Sequence, residues 1–442
     1  MAGVIAGDLV QPVLPGDDVR AVAAREDDGD GFPLVVAERV RLSVDAGKVE
    51  RRRWISERET GHGRDPTHVA SLYDAVAAGM WAYSNAAFQI ETLGPKRFEL
   101  EPGTLIVATH RRETDAPVLA PSLYYRARLW RKQATRMSFA ARDDMFLRGF
   151  FAGFPPELGS PARRALYPIR VAPWLSRVEV HPIRSARVAR LAEVLEARPD
   201  ERLDEVVGPS IAERLRSRAS RVGSSSPALA REVLGPDYVD ILWSPVSPDD
   251  LSAGLSEFWS RRAAQAAADF RALVDLLRSG GVLLVFPEGR PSRDGDIGPL
   301  RRGIEALVRR GRPRHVQPAA LAYDPLVLGR TRVYLSIPEA VSAPTVDIDE
   351  AILALLRQSM PLTAGQVAAS CLTGSRRVGL AELAGALDEA IDEARSERRP
   401  IEPALLDRDA RRRRVVEALT VGLMRPHEVD YLARELASSR GR

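Results

Sequence analysis

The chain has 442 residues, of which 45% are hydrophobic and 28% are charged, so it is not a short peptide, a disordered tail or a disulfide-stapled scaffold. Its single cysteine, Cys371, cannot form an internal disulfide, which favours a reducing compartment. Only three of its 64 basic residues are lysines, and the net charge is +4. The arginine surplus fits a GC-rich genome, and it also favours an anionic partner, which can be a phosphate, a lipid headgroup or a nucleic acid.

Hydropathy predicts a cytoplasmic protein. No segment reaches the roughly 18 consecutive apolar residues that a membrane-spanning helix needs. The first 20 residues have neither a basic start nor a sustained apolar run, which is not typical of a signal peptide. Any membrane contact is therefore expected to be peripheral, at the inner face of the membrane.

The first half of the chain mixes helical and strand periods. Residues 1–60, rich in Gly, Asp and Arg, are interpreted as an N-terminal extension. Apolar residues spaced by three or four predict a helix from Thr67 to about Phe88. Strands are predicted over FQIETLG and GTLIVATH, then a helix from Ser122 to Met137, and then a strand that ends WLSRVEVHPIR.

The second half returns to strands after a helical stretch at 187–280. GGVLLVFPEG is a buried strand that runs into a turn, GPLRRGIEALVRRG is a helix, and HVQPAALAYDP and TRVYLSIP are strands. Pro318, within the strand HVQPAALAYDP, is interpreted as marking an edge or a bend. The last ~95 residues have a helical period. Strands alternating with helices predict an α/β core with a mainly helical tail.

The first candidate site is the pair His110 and Asp115 in VATHRRETDAP. A neutral imidazole can take a proton from a hydroxyl, and a carboxylate can fix its tautomer and stabilise the imidazolium. Five residues along a helix turn the chain by about 140°. The pair can therefore meet only if His110 lies in the turn after the strand and Asp115 begins the next helix. The alternative is a capping or core histidine.

The second candidate site is FPEGRPSRDG, directly after an apolar strand. Its turn would expose Glu288 and Arg290 at the carboxyl edge of the sheet, where α/β proteins bind ligands. Arg290 and Arg293 suit a phosphate, and Glu288 suits a polyol. A solvated loop is the alternative. Arg184, at the end of HPIR, is a further candidate, and a surface arginine is its alternative.

In this order, these motifs resemble the glycerolipid acyltransferase family, which comprises the glycerol-3-phosphate and 1-acylglycerol-3-phosphate acyltransferases. His110 and Asp115 match its first motif, a histidine and an aspartate four residues apart. The second and fourth motifs are matched loosely, by Arg184 and by the strand with Pro318. The third is matched by Phe286, Pro287, Glu288 and Gly289, although Arg290 takes the place of a common threonine. The resemblance covers residues ~68–340.

The resemblance implies a mixed central sheet flanked by helices over residues 61–345, with a helical insertion at about 195–262 and a helical C-terminal region at 346–442. It also implies O-acyl transfer in phospholipid synthesis. His110 would be the general base, and acyl-CoA or acyl-carrier protein the donor. Arg184, Glu288, Gly289, Arg290 and Arg293 would bind a phosphorylated glycerol acceptor such as lysophosphatidate. Backbone N–H groups after His110 would stabilise the oxyanion. No metal or other cofactor is expected.

Two segments that mix aromatic and basic residues, LYYRARLWRK and DDMFLRGFFAGFPPEL, are predicted to contact a membrane surface, or else to pack on the sheet. Two other functions remain open. The run Arg411–Arg414 in the helical tail is compatible with a nucleic-acid-binding or regulatory protein, although no zinc finger or RNA-binding motif is present and no nucleic acid is expected. An acyltransferase fold that only binds lipid is the other.

Overall fold

A computed structural model of the chain describes residues 66–95, 100–128, 136–153, 159–374 and 380–440. The predicted N-terminal extension, 1–60, lies outside the described residues. The described residues all belong to one compact unit. Within these ranges, no helix combines the length and the apolarity needed to cross a membrane.

The described core is an eight-stranded mixed sheet in the order β1-β9-β8-β2-β7-β3-β4, with β10 paired to β8. Strands β8, β2, β7, β3 and β4 form a parallel series, whereas β9 and β10 are antiparallel to β8 and β1 is parallel to β9. The strands are β1 Gln89–Leu93, β2 Thr104–Ala108, β3 Met137–Arg142, β4 Val180–Ile183, β7 Val282–Val285, β8 His315–Asp324, β9 Arg332–Ser336 and β10 Val341–Ser342. The predicted mixed central sheet flanked by helices is confirmed.

Helices cover both faces of this sheet because its central strands are apolar on both sides. In β2, Ile106 and Ala108 pack towards α1 and α2, whereas Leu105 and Val107 pack towards α10, α11 and α12. These helices are α1 Pro66–Ala87, α2 Asp115–Arg128, α10 Ser256–Arg278, α11 Gly303–Gly311 and α12 Ile348–Ser359. Such two-sided cover leaves the ends of the strands as the place for a site.

The segment between β4 and β7 carries a hydrophobic core of its own, which begins at Ala189 and reaches Phe258. In the part of the chain that the structure describes, three short α-helices lie between β3 and β4, and four α-helices and a two-stranded ribbon lie between β4 and α10. They are α3 Phe150–Gly153, α4 Ser160–Leu166, α5 Ala172–Arg177, β5 Ala189–Arg190, α6 Leu191–Ala197, α7 Leu203–Val206, α8 Pro209–Arg221, α9 Val239–Leu242 and β6 Pro245–Val246.

The C-terminal region is helical, as predicted. Its helices after α12 are α13 Ala364–Gly374, α14 Leu380–Ser396, α15 Arg408–Met424 and α16 Pro426–Ser439. They pack around Leu326, which follows β8, and around one another. The C-terminal helices therefore lie beside the carboxyl end of β8.

One local prediction was wrong, and a second was wrong in part. The helix predicted from Ser122 to Met137 begins at Asp115, and Met137 is the first residue of β3. Pairing of Met137 with Val282 on β7 outweighs the local helical period. Pro318 does not mark an edge, because β8 lies between β2 and β9. It pairs with Val107 of β2. On the opposite side of β8 it falls between the residues that pair with β10 and those that pair with β9, so no strand there needs a hydrogen bond from its nitrogen, which carries no hydrogen.

Candidate active site

His110 and Asp115 meet at the carboxyl end of β2, as their spacing predicted. His110 lies two residues beyond β2, and Asp115 is the first residue of α2. His110 Nδ1 lies 3.0 Å from Asp115 Oδ2. The His110 side chain is 14% exposed and that of Asp115 is fully buried. An ionised Asp115 accepts the proton of Nδ1, so the other ring nitrogen, Nε2, carries the lone pair that a general base needs.

The Asp115 carboxylate is surrounded by donors. Its Oδ2 accepts the backbone N–H groups of Arg111 and Arg112, the latter at 2.9 Å. Its Oδ1 accepts the Tyr323 hydroxyl at 2.8 Å. Burial, together with the Asp115 carboxylate, raises the pKa of Tyr323 well above its ordinary value, so the phenol keeps its proton and donates.

These bonds correct the prediction for the oxyanion. The first two N–H groups after His110 point at Asp115 and are not available to a substrate. An aspartate at the first helical position captures them instead, as a capping carboxylate does.

The turn after β7 lies directly against His110. The His110 ring stacks on Phe286, with centroids 4.5 Å apart. The His110 N–H donates to Glu288 Oε1 at 2.8 Å, and the Ser292 N–H donates to the His110 carbonyl at 2.8 Å. Residues from the first and third motifs are therefore joined directly, both by a ring contact and through the His110 backbone.

Glu288 lies inside the protein rather than on its surface. It is 5% exposed, and its second oxygen accepts the Gly298 N–H at 3.3 Å. Burial raises its pKa, although the Arg111 guanidinium opposes that rise. In this conformation its carboxylate binds backbone groups of its own chain.

The remaining predicted residues of the third motif form the outer part of the loop. Gly289 closes the turn through a 3.0 Å bond from its N–H to the Phe286 carbonyl. Its φ is +71°, and a Cβ there would come within 2.9 Å of Arg301, so glycine is required by both conformation and space. Arg290 and Arg293 are exposed on the loop that follows.

Arg184 reaches the same edge of the sheet but lies far from His110. By strand register, one row across the sheet contains Ile106 of β2, Leu284 of β7, Phe139 of β3 and Val180 of β4. His110, Glu288 and Arg184 each lie four residues after the member of this row on their own strand. Three strand spacings, about 14 Å, separate β4 from β2. The Arg184 guanidinium binds Asp269 at 2.6 Å.

Two contributors were missed by the sequence reasoning. Tyr323 lies in the strand HVQPAALAYDP, where its apolar neighbours indicate a residue of the hydrophobic core. Arg111 is 3% exposed, and its Nη1 donates to the carbonyls of Gly295 and Asp296 at 2.9 and 3.0 Å. Its position next to His110 was the only available signal, and with 61 arginines in the chain that signal is faint.

The segments predicted to contact a membrane are partly buried. Leu123 and Tyr124 lie in the core, and Phe150 packs on Trp243 with centroids 5.8 Å apart. Phe151 is exposed, whereas Trp130, Arg131, Lys132 and Phe154 lie outside the described residues. Among the described residues, no group of three His, Cys, Asp or Glu side chains is arranged to hold a metal ion.

A histidine oriented by a buried carboxylate, at the strand ends of a mixed α/β sheet, defines a candidate general-base enzyme. The family model described as Acyltransferase matches residues 246–322, which include the Phe286–Gly289 turn and Pro318. Over this segment the chain is similar to acyltransferases, as the resemblance predicted. His110 and Asp115 lie outside the matched segment and are joined to it by the contacts of Glu288, Phe286 and Ser292.

Several solved structures match the chain, and one of them is matched over most of its own length. It is the 1-acyl-sn-glycerophosphate (LPA) acyltransferase PlsC from Thermotoga maritima, with 11% identity and a TM-score of 0.35, covering 70% of this chain and 85% of that one. At these values the likeness supports no assignment of substrate. A comparison with curated protein sequences gives no significant match.

Proposed function

We propose that the chain transfers a fatty acyl group from a thioester donor, acyl-CoA or acyl-carrier protein, to a hydroxyl of a phosphorylated glycerol acceptor. The observation that carries this proposal is the His110–Asp115 pair, 3.0 Å apart and bonded through the His110 N–H to Glu288. A base oriented by a buried carboxylate and held at a sheet edge has the parts that proton abstraction from a hydroxyl needs.

In the proposed reaction, His110 Nε2 takes the proton of the acceptor hydroxyl, and the oxygen attacks the thioester carbonyl carbon. The tetrahedral intermediate collapses with cleavage of the C–S bond, and the thiolate leaves and takes the proton from the imidazolium. Asp115 stabilises the imidazolium during the step. The ester and the free thiol are the products, and no covalent acyl-enzyme forms.

Arg290 and Arg293 are proposed to hold the acceptor phosphate. Both are exposed on the loop that continues from Gly289, and a guanidinium fork matches the geometry of phosphate oxygens. Arg301, whose side chain lies against Gly289, adds a third guanidinium to the same loop. Glu288 is proposed to act on the substrate indirectly, by fixing the His110 backbone.

The deciding experiment is a turnover assay of the purified chain with acyl-CoA and with acyl-carrier protein. Glycerol-3-phosphate, lysophosphatidate and glycerol are offered as acceptors, and products are identified by mass. His110→Ala is expected to abolish acyl transfer while circular dichroism stays unchanged. His427→Ala, which alters an exposed histidine on α16, is the matched control.

Full turnover by His110→Ala would exclude His110 as the base. Consumption of thioester without an acylated acceptor would indicate a thioesterase, and binding of lipid without turnover would indicate a lipid-binding protein. A preference for glycerol over both phosphorylated acceptors would exclude the proposed phosphate site.

Peripheral contact with the inner face of a membrane is proposed because a lysophosphatidate acceptor resides there. Trp81 and Tyr83 on α1 and Trp174 on α5 are exposed aromatic side chains, of the kind that partition into a lipid headgroup layer. Co-sedimentation with anionic vesicles is expected. No sedimentation at low salt would contradict this localisation.

A further inference from the structure

The last helix of the chain, α16, lies against the loop that follows the Phe286–Gly289 turn. Tyr431, Glu435 and Ser438 are spaced by four and three residues and so share one face of the helix. Ser438 Oγ accepts the Ile297 N–H at 2.8 Å. All three belong to a region outside the segment that matches the acyltransferase model.

The contact between helix and loop is made backbone to backbone at Gly295. Its φ is +91°, and a Cβ at this position would lie 2.3 Å from the Tyr431 carbonyl and 2.8 Å from the Glu435 nitrogen. Both the left-handed conformation and the space therefore require glycine. With α16 in this position, the loop can occupy its place only if residue 295 has no side chain.

Arg111 joins the same loop and helix to the His110–Asp115 turn. Its backbone N–H donates to Asp115, its Nη1 donates to the Gly295 and Asp296 carbonyls, and its Nε lies 3.4 Å from Glu435 Oε1. Glu435 Oε2 in turn accepts from Gln366 Nε2 at 2.7 Å. A continuous set of contacts thus runs from α13 and α16 to the residue next to His110.

Burying this ion pair has a desolvation cost, because both side chains are about 1% exposed and a buried pair often stabilises a fold no better than apolar residues would. Burial raises the pKa of Glu435, although the Arg111 guanidinium opposes that rise. The pair is therefore better explained by what it holds in place than by stability.

We propose that Glu435 is a positioning residue of the acyl-transfer site, which acts through Arg111 to hold the loop 288–298 against His110. The C-terminal helices are then part of the working site rather than an appendage to it. This inference rests on the proposed function, since its readout is acyl transfer.

The test compares Glu435→Gln with Asp430→Asn, which makes the same chemical change at an exposed position of α16. Glu435→Gln is expected to lower kcat at least tenfold while KM for donor and acceptor stays within about twofold. The double variant Arg111→Met/Glu435→Met removes both charges. The single variant Glu435→Met leaves Arg111 buried without its counter-charge, so the double variant is expected to be the more stable of the two. Its kcat is expected to stay low, because it lacks the bonds from Arg111 to the Gly295 and Asp296 carbonyls.

A second pair of variants tests the helix–loop contact without changing charge. Gly295→Ala is compared with Gly329→Ala, where φ is +96° but nothing lies within 4 Å of a new Cβ. Backbone strain is then similar in both variants, and only Gly295→Ala pushes the loop from α16. A kcat loss confined to Gly295→Ala, with faster amide exchange in the loop 288–298, is expected.

The inference is overturned if Glu435→Gln keeps kcat within twofold, or if kcat recovers together with stability in the double variant, which is the result of a purely structural role. His110→Ala is measured alongside. If it abolishes transfer while Glu435→Gln does not affect kcat, this inference alone fails. If His110→Ala remains active, the proposed function fails and this inference fails with it.

Discussion

The backbone N–H of His110 donates to Glu288 Oε1 at 2.8 Å, which links two residues 178 positions apart in the chain. The His110 carbonyl accepts the Ser292 N–H at the same distance. The loop after β7 therefore holds both backbone polar groups of His110, while Asp115 orients its ring. Four predictions follow from contacts of this site and of its surroundings.

Asp115→Asn is expected to lower kcat/KM by about 10²- to 10⁴-fold, the range that a positioned acid–base group contributes. An amide has one acceptor oxygen, whereas Asp115 accepts from His110, Arg111, Arg112 and Tyr323. One N–H of the new amide would face other donors, and the His110 tautomer would no longer be fixed. Steady-state kinetics check this, with Glu113→Gln as the control in the same loop. Activity within threefold of the parent would contradict it.

Glu288→Gln is expected to change how stability depends on pH. Burial raises the pKa of Glu288 above the ordinary glutamate value of 4.5, and Arg111 partly offsets the rise. The folded state thus keeps the proton at pH values where the unfolded chain has released it. Stability from this group is complete below the unfolded value and is lost as pH rises through the folded one.

The free energy of unfolding of the parent should therefore fall relative to that of Glu288→Gln as pH rises from 4.5 through the raised pKa of the folded protein. Urea titrations at several pH values measure this difference. A gap between the two proteins that stays constant, or that widens with pH in favour of the parent, would contradict the assigned direction. Glu113→Gln provides the exposed control.

Arg184 and Asp269 test whether the predicted second motif binds the acceptor. The two form an ion pair at 2.6 Å, so a phosphate would have to compete with Asp269. If Arg184 binds the phosphate, Arg184→Ala raises KM for the phosphorylated acceptor about tenfold, an amount within the range of one charge-assisted bond. Asp269→Asn lowers that KM.

The control for this pair is Arg164→Ala, which breaks an exposed pair with Asp237. Acceptor KM is measured at saturating donor. An unchanged KM in both Arg184→Ala and Asp269→Asn would assign Arg184 a purely structural role beside α10.

Arg414→Met is expected to cost about 3–5 kcal/mol of stability, because it removes the guanidinium that binds Asp324 and leaves Glu402 with the more distant Arg332, at 3.7 Å. Arg414 binds Asp324 and Glu402, both fully buried. Arg413→Met, at an exposed position of the same run, is expected to change stability by no more than about 0.5 kcal/mol. Denaturant unfolding of both variants measures the contrast, and equal effects would contradict it.

The contacts of the run Arg411–Arg414 also bear on whether the chain binds nucleic acid. In the run Arg411–Arg414, Arg411 binds Asp388 and Arg414 is buried, so half of the run is engaged within the fold. Nothing in these contacts favours a nucleic-acid partner over the acyl-transfer proposal.

Much of the fold could be predicted from local pattern. Apolar runs and turn residues gave β1, β2, β4, β7, β8 and β9, and the helical period gave α1, α11 and the C-terminal helices. The end of α2 could not be predicted, because residues up to Met137 are compatible with a helix until Met137 pairs with Val282. Local pattern could not decide whether Pro318 marks an edge or a bend, because only the positions of β9 and β10 show which sides of β8 are paired.

By itself, the sequence determined that His110 and Asp115 could meet, since a strand end followed by a helix start brings residues five apart together. It also determined the turn at Gly289. Only the tertiary structure decided that Glu288 points inward to the His110 N–H, that the N–H groups of Arg111 and Arg112 are taken by Asp115, and that Glu435 reaches Arg111 from the last helix. These contacts depend on register and packing between segments far apart in the chain, which a local pattern of residue types does not encode.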